Sequence, residues 1–446
     1  MPGKLESHYI LCYTLYMKKY YDDHHWSDNL DIRGFMSKPQ VVAFLLTFFI
    51  VLAVGIPGLL LYARHINGDD RIETEPATDF AGSWEAIPEA GVAMNAAVPE
   101  VLDTSGEQTP VIYEGDEDYT HIISTLDPDS ITIGFAGDIL FDDNYAAGYS
   151  FKRAGNTAEG VIGQSLLDKM RDADIMMVNN EFPYSNGGVP TEGKTYTFRA
   201  RPETASILNT MGVDIVGLAN NHAYDYGQQA LVDSFAALDN AGVAYVGAGN
   251  DIDEASHPVY YVTDSGLKIA IICATQIERL DNPDTKGATK SSPGVFRCLN
   301  DSLLLEKIRE AREKNAYVVV FIHWGTESTD EIDYYQNLQA KEIAEAGANL
   351  IIGSHPHVLQ KIDYVSGVPV VFSMGNFIFN SKTLDTCMIL TTLHKNGSVN
   401  LKFVPAVQSG STVYEAVGED AARILNYMSS ISPGINIDSN GYISPK

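Results

Sequence analysis

Residues 131–138 read Ile-Thr-Ile-Gly-Phe-Ala-Gly-Asp. Alternating apolar residues followed by a Gly-Asp turn are typical of a buried strand that ends at a polar loop. After this stretch, short apolar runs alternate with segments of helical periodicity. This alternation predicts an α/β fold, with a sheet that is covered by helices on both faces.

The same patterns locate the other elements. Strands are expected at 175–178, 214–218, 244–246, 268–274, 317–322 and 350–352, and helices at 202–211, 228–241, 301–314 and 334–346. The last third shifts to strand-like runs at 360–365, 369–373, 386–394 and 399–407. These later runs predict a second sheet packed on the first, as in a layered sandwich. After about Ser409 we expect one helix over 415–428 and then a frayed tail.

Six short segments contain the residues with the clearest chemistry. Four of the first five follow a strand-like run, where open α/β sheets place their sites. Together they supply two carboxylates, an amide oxygen and four imidazoles, a set that suits two divalent metals and a general acid. The segments are Gly137-Asp138, Asn179-Asn180-Glu181, Asn220-Asn221-His222, His323-Trp324-Gly325, His355-Pro356-His357 and Gly375-Asn376-Phe377.

Some of these residues also allow a purely structural interpretation. Asp225 lies just before a predicted helix, so an N-cap role is as well supported as a catalytic one. His323 ends an apolar run. This position would also suit a buried histidine that has only a structural role and whose nitrogens are satisfied by hydrogen bonds. The His355-Pro356-His357 motif is more specific, because a rigid loop after a strand aims two imidazoles at one place.

In combination, the motifs resemble the CapA family of bacterial capsule-biosynthesis proteins. The resemblance covers residues 131–407 and includes ANNHAYDYG from Ala219, HWGTE from His323, GSHPHVLQ from Gly353 and SMGNFIF from Ser373. The family is associated with poly-γ-glutamate and is similar to calcineurin-like metallophosphoesterases. The resemblance therefore implies a layered α/β/β/α sandwich of the metallophosphoesterase type over residues 130–408.

The resemblance also implies a role for each matching residue. His222 is implied as the catalytic histidine. Independently of the resemblance, Asp225 beside it is a further catalytic candidate, and Arg199 and Asn376 are candidate substrate-binding residues. The implied metal ligands are Asp138, Glu181, Asn221, His323, His355 and His357.

Two positions depart from the phosphoesterase pattern. Leu140 stands where those enzymes have a second histidine, and Glu181 replaces their aspartate. The sequence therefore leaves open one or two divalent metals, with Asp142 or Asp143 as substitute ligands. The mixed nitrogen and oxygen ligands favour Mn, Zn or Fe over Ca or Mg.

An uncharged run of 22 residues from Val41 to Tyr62 predicts a transmembrane helix. It lies too far from the N-terminus and is too long for a cleaved signal peptide. More basic residues precede it than follow it closely, which predicts a cytoplasmic tail at 1–40 and an outward-facing C-terminal domain. The basic residues that precede it include Lys18, Lys19, Arg33 and Lys38, and those that follow it closely are Arg64 and Arg71.

Charge and composition limit the partners. The net charge of −28 disfavours nucleic acid, because an acidic surface repels phosphate. Residues 66–130 hold 16 acidic side chains against one basic side chain and are punctuated by prolines. This composition predicts an acidic extracellular linker over 63–129, and 409–446 is expected to be a C-terminal extension.

The sequence thus predicts a membrane-anchored, outward-facing protein of capsule or poly-γ-glutamate synthesis or export. Its expected activity is a metal-dependent hydrolase or transferase acting on a phosphoester or an anionic polymer. The alternative is a surface scaffold or export component that keeps the metallophosphoesterase fold without turnover, alongside other capsule-synthesis membrane proteins. Arg199 and Arg201, with Lys194 nearby, are candidates for a basic patch, although a loop of solvated charges is the better supported interpretation.

Overall fold

The computed structural model describes residues 112–278 and 285–446. Its strands are β1 Thr120–Ile123, β2 Ser130–Ile139, β3 Ile175–Asn180, β4 Ile215–Gly217, β5 Ala244–Val246, β6 Ala248–Gly249, β7 Val259–Thr263, β8 Lys268–Thr275, β9 Gly294–Val295, β10 Tyr317–His323, β11 Leu350–Ser354, β12 Ile362–Val365, β13 Val368–Val371, β14 Asn376–Ile378, β15 Leu384–His394, β16 Val399–Ser409, β17 Thr412–Glu415, β18 Ile435–Ile437 and β19 Tyr442–Pro445. Its α-helices are α1 Ala146–Arg153, α2 Gln164–Arg171, α3 Ile207–Met211, α4 Gly227–Ala241, α5 Ile252–Ser256, α6 Ser302–Glu313, α7 Tyr334–Ala346 and α8 Gly418–Ile431. Three short 3₁₀-helices lie at Glu117–Tyr119, Ala158–Gly160 and Pro202–Ser206.

Two mixed sheets form the centre of the domain. The ten-stranded sheet has the order β18-β19-β16-β15-β2-β3-β4-β5, with β14 beside β2 and β17 beside β16. The seven-stranded sheet has the order β1-β7-β8-β10-β11-β13-β12. In the first sheet β2, β3 and β4 run parallel, and in the second β8, β10 and β11 do. The predicted α/β class is confirmed.

The alternation of β2 places the core between the sheets. Ile131, Ile133 and Phe135 are fully buried on one face of this strand, because successive side chains point to opposite faces. They pack in one cluster with residues of β8, β10 and β11, and the ring of Phe135 lies 6.4 Å from that of Phe321. The outer faces of both sheets pack against helices, α1 to α4 on one side and α6 and α7 on the other. The layers are therefore helix, sheet, sheet, helix.

The sequence predicted that the C-terminal strands form the second sheet. In the structure they do not form a sheet by themselves but are divided between the two sheets. β12 and β13 join the seven-stranded sheet beside β11, while β15 pairs antiparallel with β2 in the ten-stranded sheet. Apolar alternation identifies a strand and its buried face but does not identify its partner.

The helix predicted over 415–428 is present as α8, but the fraying predicted after it does not occur. β16 continues to Ser409 and pairs with β19, which pairs in turn with β18. In α8, Ile424 and Met428 are fully buried in the core between the sheets. The segment is therefore an integral part of the domain.

The predicted linker boundary at residue 129 is also wrong, because the folded domain includes residues from 112 onward. β1 pairs in parallel with β7. Just before it, both carboxylate oxygens of Asp116 accept hydrogen bonds from Lys314 at 2.8 Å, and His257 lies 3.4 Å away. β1 has few apolar residues, and these are not fully buried. Its sequence therefore shows little apolar periodicity within an acidic segment and was not recognised as a strand.

Among residues 112–278 and 285–446, no helix has the length and apolar character needed to cross a membrane. The predicted cytoplasmic tail at 1–40, the predicted span at 41–62 and the first part of the predicted linker all lie outside the described residues. These assignments stay predictions.

Candidate metal centre

The six predicted metal ligands meet where the carboxyl ends of parallel strands from both sheets come together. Three come from the ends of β2, β3 and β4, and three from the ends of β10 and β11. From the ten-stranded sheet come Asp138, Glu181 and Asn221, and from the seven-stranded sheet come His323, His355 and His357. The site thus lies across the interface of the two sheets.

Glu181 occupies the middle of this group. Its side chain is fully buried, and neither carboxylate oxygen has a hydrogen-bond partner. Burial, and then the nearby charge of Asp138, raise the pKa of Glu181 well above its ordinary value. One set of candidate ligand atoms joins Glu181 with His323 and His355, another joins it with Asp138 and His357, and within each set the atoms lie within 4.8 Å of one another. Among the described residues, Glu181 is thus the member common to both candidate ligand sets.

The first set contains two neutral imidazoles. His323 Nε2 lies 3.0 Å from His355 Nδ1 and 2.8 Å from Asn221 Oδ1. Burial and the neighbouring imidazoles hold the pKa of His323 and of His355 well below the usual range, so both rings keep a free lone pair at neutral pH. His323 Nδ1 lies 3.0 Å from Ser354 Oγ, a contact that leaves Nε2 for a ligand.

The second set has a different charge. His357 Nδ1 lies 3.0 Å from Asp138 Oδ2 and 2.8 Å from Asn376 Oδ1. Burial alone would lower the pKa of His357, but Glu181 and Asp138 outweigh it and raise the pKa to about 9. A proton therefore balances the carboxylates where a metal cation would do so. Asn376, which is a predicted substrate-binding residue, is fully buried and contacts His357.

Two asparagines connect the ligand groups. Asn179 Nδ2 donates to Asp138 Oδ1 at 2.7 Å and lies 3.3 Å from His323 Nδ1. Asn220 donates in turn to Asn179 Oδ1 at 3.1 Å. No role for Asn179 or Asn220 was inferred from the sequence, although both stand next to predicted ligand positions. Amides that fix the orientation of metal ligands commonly lie in this outer layer.

The HPH loop is held in an unusual backbone conformation. His355 has φ 97° and His357 has φ 60°, a region that side chains other than glycine rarely adopt. A Cβ atom on Gly353 would collide with the backbone oxygen of Phe372, so only glycine fits before this loop. Strain of this kind is concentrated at functional sites.

His222 and Asp225 form a pair at the edge of the ligand group. His222 Nδ1 lies 2.7 Å from Asp225 Oδ2, and its Nε2 lies 4.0 Å from Glu181 Oε1. Asp225 also accepts a hydrogen bond from the backbone N–H of Phe198 at 2.7 Å. It does not cap α4, which begins at Gly227 without a side-chain cap. Of the two alternatives for Asp225, the structure thus favours the contact with His222.

The basic residues near the site differ in their surroundings. The interpretation as solvated loop charges is wrong for Lys194, whose side chain is only 5% exposed and lies 2.5 Å from Asp225 Oδ1. Arg199 instead donates to the backbone oxygen of Gly187 at 2.7 Å and stacks on the ring of Tyr226 at 4.2 Å. Its role as a substrate-binding residue stays a prediction.

Two aromatic rings flank the histidines. The ring of Phe198 lies 4.3 Å from that of His222, and the ring of Phe379 lies 4.6 Å from that of His357. The two phenylalanines contact each other edge to face at 5.5 Å. They form an apolar surface beside both imidazoles, and this packing limits rotation of the two rings.

Leu140 is not replaced by a nearby ligand. Its side chain is buried in the core under the helices of the ten-stranded sheet. Asp142 accepts hydrogen bonds from the backbone of Asn144 and of Arg199, and Asp143 pairs with Arg201 at 3.3 Å. Neither carboxylate belongs to the ligand groups found in the described part of the chain. The idea that one of them substitutes for the missing histidine is therefore not supported.

Comparison with known proteins finds relatives among bacterial capsule synthesis proteins. The family model described as bacterial capsule synthesis protein PGA_cap matches residues 132–381. The chain is 28% identical over 289 residues to PGA biosynthesis protein CapA of Bacillus subtilis (strain 168), a match that covers 64% of this chain and 73% of that protein. It is 32% identical over 256 residues to capsule biosynthesis protein CapA of Bacillus anthracis, covering 54% of this chain and 60% of that protein.

Among solved structures, the crystal structure of TT1561 of Thermus thermophilus matches with a TM-score of 0.32 and 9% identity, covering 61% of this chain and 98% of that chain. The family assignment rests on the sequence match, which includes all six candidate metal ligands. The chain belongs to the PGA_cap family of bacterial capsule synthesis proteins.

Proposed function

We propose that this protein is a membrane-anchored, outward-facing component of capsule or poly-γ-glutamate synthesis or export, and that its domain is a metal-dependent hydrolase or transferase. The observation that carries the proposal is the buried carboxylate of Glu181, which has no hydrogen-bond donor and lies between two ligand sets. A buried carboxylate without a donor is costly unless a cation accompanies it.

The residues present fit one or two divalent metals. Asn221, His323 and His355 would hold one together with Glu181, and Asp138 and His357 would hold the other with the same carboxylate. Imidazoles combined with carboxylate and amide oxygens favour Mn, Zn or Fe. Such metals would supply Lewis acidity toward the scissile group and a lowered pKa for the attacking water.

His222 is placed to handle a proton at its Nε2 atom. Asp225 is an acceptor, so Nδ1 of His222 carries the hydrogen of their contact and Nε2 keeps the lone pair in the neutral ring. Burial lowers the pKa of His222, although Asp225 raises it. This favours an Nε2 atom that accepts a proton or a hydrogen bond from substrate or water and that, once protonated, can donate that proton to the leaving group.

The substrate is proposed to be a phosphoester or an amide linkage of an anionic polymer. Residues 131–446 hold 23 basic and 37 acidic side chains, so their general surface repels a polyanion. Such a polymer would have to be held by the metals and by local cations, for which Arg199 and Arg201 are the candidates. Nucleic acid is not proposed as a partner for the same electrostatic reason.

Metal analysis combined with a hydrolysis panel tests this proposal. The purified protein should contain stoichiometric divalent metal and cleave members of a phosphodiester and γ-glutamyl substrate panel. His355→Ala should lose both properties, whereas His394→Ala, at the end of β15 and away from the ligand groups, should keep them. A chain that contains no metal and is unaffected by His355→Ala would contradict the proposal.

A surface scaffold without turnover is the second candidate. It is favoured by Leu140, whose burial in the core leaves Asp138 and His357 with Glu181 as the ligands of the second set. A scaffold predicts that His355→Ala still supports polymer export in cells, while removal of residues 41–62 abolishes it. Enzymatic function predicts that both changes abolish export, so one experiment separates the candidates.

Thiol labelling tests the proposed orientation in the membrane. Cys273, Cys298 and Cys387 are buried, so Cys12 is the remaining candidate for a membrane-impermeant maleimide. With a cytoplasmic N-terminus, intact cells should show no labelling until they are permeabilised. A Ser398→Cys variant, in the exposed turn between β15 and β16, should be labelled on intact cells. Labelling of Cys12 on intact cells would reverse the proposed orientation.

A further inference from the structure

The segment from Gly187 to Arg199 runs beside the candidate metal centre and is fastened at several points to one turn. The backbone N–H of Thr191 donates to the backbone oxygen of Asp225 at 2.8 Å, and that of Phe198 donates to the Asp225 side chain. Arg199 donates to Gly187 and closes the segment on itself. We call this segment the 187–199 loop. Its attachments through Thr191 and Phe198 both reach Asp225, three residues after His222.

Lys194 makes the central attachment. Its ammonium lies 2.5 Å from Asp225 Oδ1 and donates to the backbone oxygen of Asn221. Asn221 and Asp225 are the two ends of a five-residue turn, and His222 lies between them. A single buried cation therefore connects the loop to both ends of the turn that carries a candidate metal ligand and a candidate proton acceptor.

The two oxygens of Asp225 are divided between these partners. Oδ1 faces Lys194, while Oδ2 receives the His222 ring and the N–H of Phe198. Asp225 is fully buried, and the Lys194 side chain is nearly so. Without Lys194, Asp225 would have an unfilled acceptor and could rotate about its last torsion. The His222 ring, which lies against Phe198, would then lose its fixed direction.

We infer that Lys194 is a positioning residue, which holds Asp225 and the Asn221 carbonyl and so sets the direction of His222 Nε2 toward the metal centre. This inference rests on the proposed function for its kinetic consequence, because the reaction is what a misdirected His222 would slow. Its geometric part concerns the 187–199 loop and the turn alone. A residue of this kind changes the rate of the chemical step much more than substrate binding.

Kinetics of the full-length chain test the positioning role, with bis(p-nitrophenyl) phosphate as the probe substrate. Lys194→Met should lower kcat by about 100-fold, as a small misplacement of a reacting group does. KM should stay within about threefold and the bound metal should be unchanged, because Lys194 gives no side-chain ligand. The matched control is Lys152→Met, which removes a lysine whose side chain is 60% exposed and which pairs with Asp143 at 3.9 Å.

Chemical rescue separates positioning from a general loss of structure. Ethylammonium should raise the kcat of Lys194→Ala at least about tenfold above its value without the amine, because the cation can refill the space beside Asp225. The double variant Lys194→Met with Asp225→Asn removes both buried charges and remains testable if the single variant unfolds. Its kcat should be as low as that of Lys194→Met. Wild-type kcat in Lys194→Met, or a loss that no amine restores, would overturn the positioning role.

Hydrogen exchange supplies a measurement that does not depend on activity. The amides of Thr191 and Phe198 should exchange at least about tenfold faster in Lys194→Met, because the loop loses its central attachment. Lys152→Met should leave them unchanged. If the wild type hydrolyses no substrate of the panel, the proposed function fails while this exchange still decides the attachment. Unchanged exchange in Lys194→Met overturns the inference even if the wild type is active.

Discussion

Replacing Glu181 with glutamine should remove metal binding without unfolding the protein. The carboxylate is fully buried without a donor, and it belongs to both candidate ligand sets. Glutamine has nearly the same shape but no charge. One change of a single group therefore affects both sets while the surrounding packing stays intact.

The expected sizes follow from the environment of Glu181. Its pKa in the folded protein is raised well above its ordinary value, first by burial and then by Asp138. Such an acid destabilises the metal-free fold increasingly as the pH rises above its unfolded pKa. Glutamine cannot ionise and therefore removes this pH-dependent penalty, while its buried amide keeps the shape and the polar character of the original side chain. The metal-free variant should therefore melt at the same temperature as the wild type or higher.

Metal should distinguish the two proteins in the opposite direction. At a free metal concentration about 1,000 times Kd, binding stabilises the wild type by about 4 kcal/mol. With about 2 °C of melting temperature per kcal/mol for a large domain, the wild type should gain about 8 °C. The Glu181→Gln variant should gain less than about 2 °C under the same conditions.

Differential scanning fluorimetry after chelation, with and without added Mn²⁺ or Zn²⁺, measures both effects. Glu327→Gln is the matched control, because Glu327 is exposed at the site and acts on Glu181 and His357 only through its charge. It should keep most of the metal-induced shift. An unchanged shift in Glu181→Gln would refute the assignment of Glu181 as a shared ligand, and an equal loss in both variants would refute its specificity.

Four further outcomes are expected. His357 keeps its proton up to a pKa of about 9, and a metal must displace that proton to bind. The Kd for Mn²⁺, measured by calorimetry, should therefore decrease about tenfold for each unit by which the pH rises toward that pKa. In the metal-free protein, the stability due to this proton should be complete below about pH 6.5 and lost as the pH rises through about 9; equal stability across that range would contradict it. Ile424→Ala should destabilise the domain by about 2–5 kcal/mol in urea unfolding, whereas a detachable C-terminal extension would give no change. Asp116→Asn should weaken the contact with Lys314 by about 1.5–3 kcal/mol and make β1 more sensitive to limited proteolysis; identical cleavage would contradict that.

The candidate ligands could be found from the sequence because they follow strands. A strand of alternating apolar residues that ends in a polar residue places that residue at a sheet edge, and parallel strands bring such edges together. Asp138, Glu181 and His323 each stand at or just beyond such a strand end. Their proximity is therefore a consequence of topology, which apolar periodicity encodes strongly.

Residues whose role depends on contacts across the fold were missed. Lys194 lies in a loop rich in Gly, Thr and charged residues, a composition that resembles solvated surface. Its burial results from Asp225, which is 31 residues away. Asn179 could not be distinguished from the Asn180 beside it, although the first contacts two ligands and the second contacts the backbone of Phe182.

The predictions of the domain boundaries were wrong for a similar reason, because strand pairing also depends on contacts across the fold. Strands at the edges of sheets are short and only half covered, so they carry little apolar signal. β1 is hidden within an acidic segment, and β18 lies among Pro, Gly and Ser residues. Each was assigned to a flexible region because composition describes the average of a segment, whereas pairing is decided by a few backbone groups.

The division of the ligands between two sheets has a consequence for the lifetime of the folded protein. Any metal held by Glu181 and His323 would tie the ten-stranded sheet to the seven-stranded sheet at the open end of their shared core. The sheets could then separate only after coordinate bonds had broken, which raises the barrier to unfolding in addition to shifting its equilibrium. A protease that attacks only the opened chain would meet it far less often. For a domain proposed to work outside the cell, where no chaperone refolds it, a slow opening rate is the form of durability that counts.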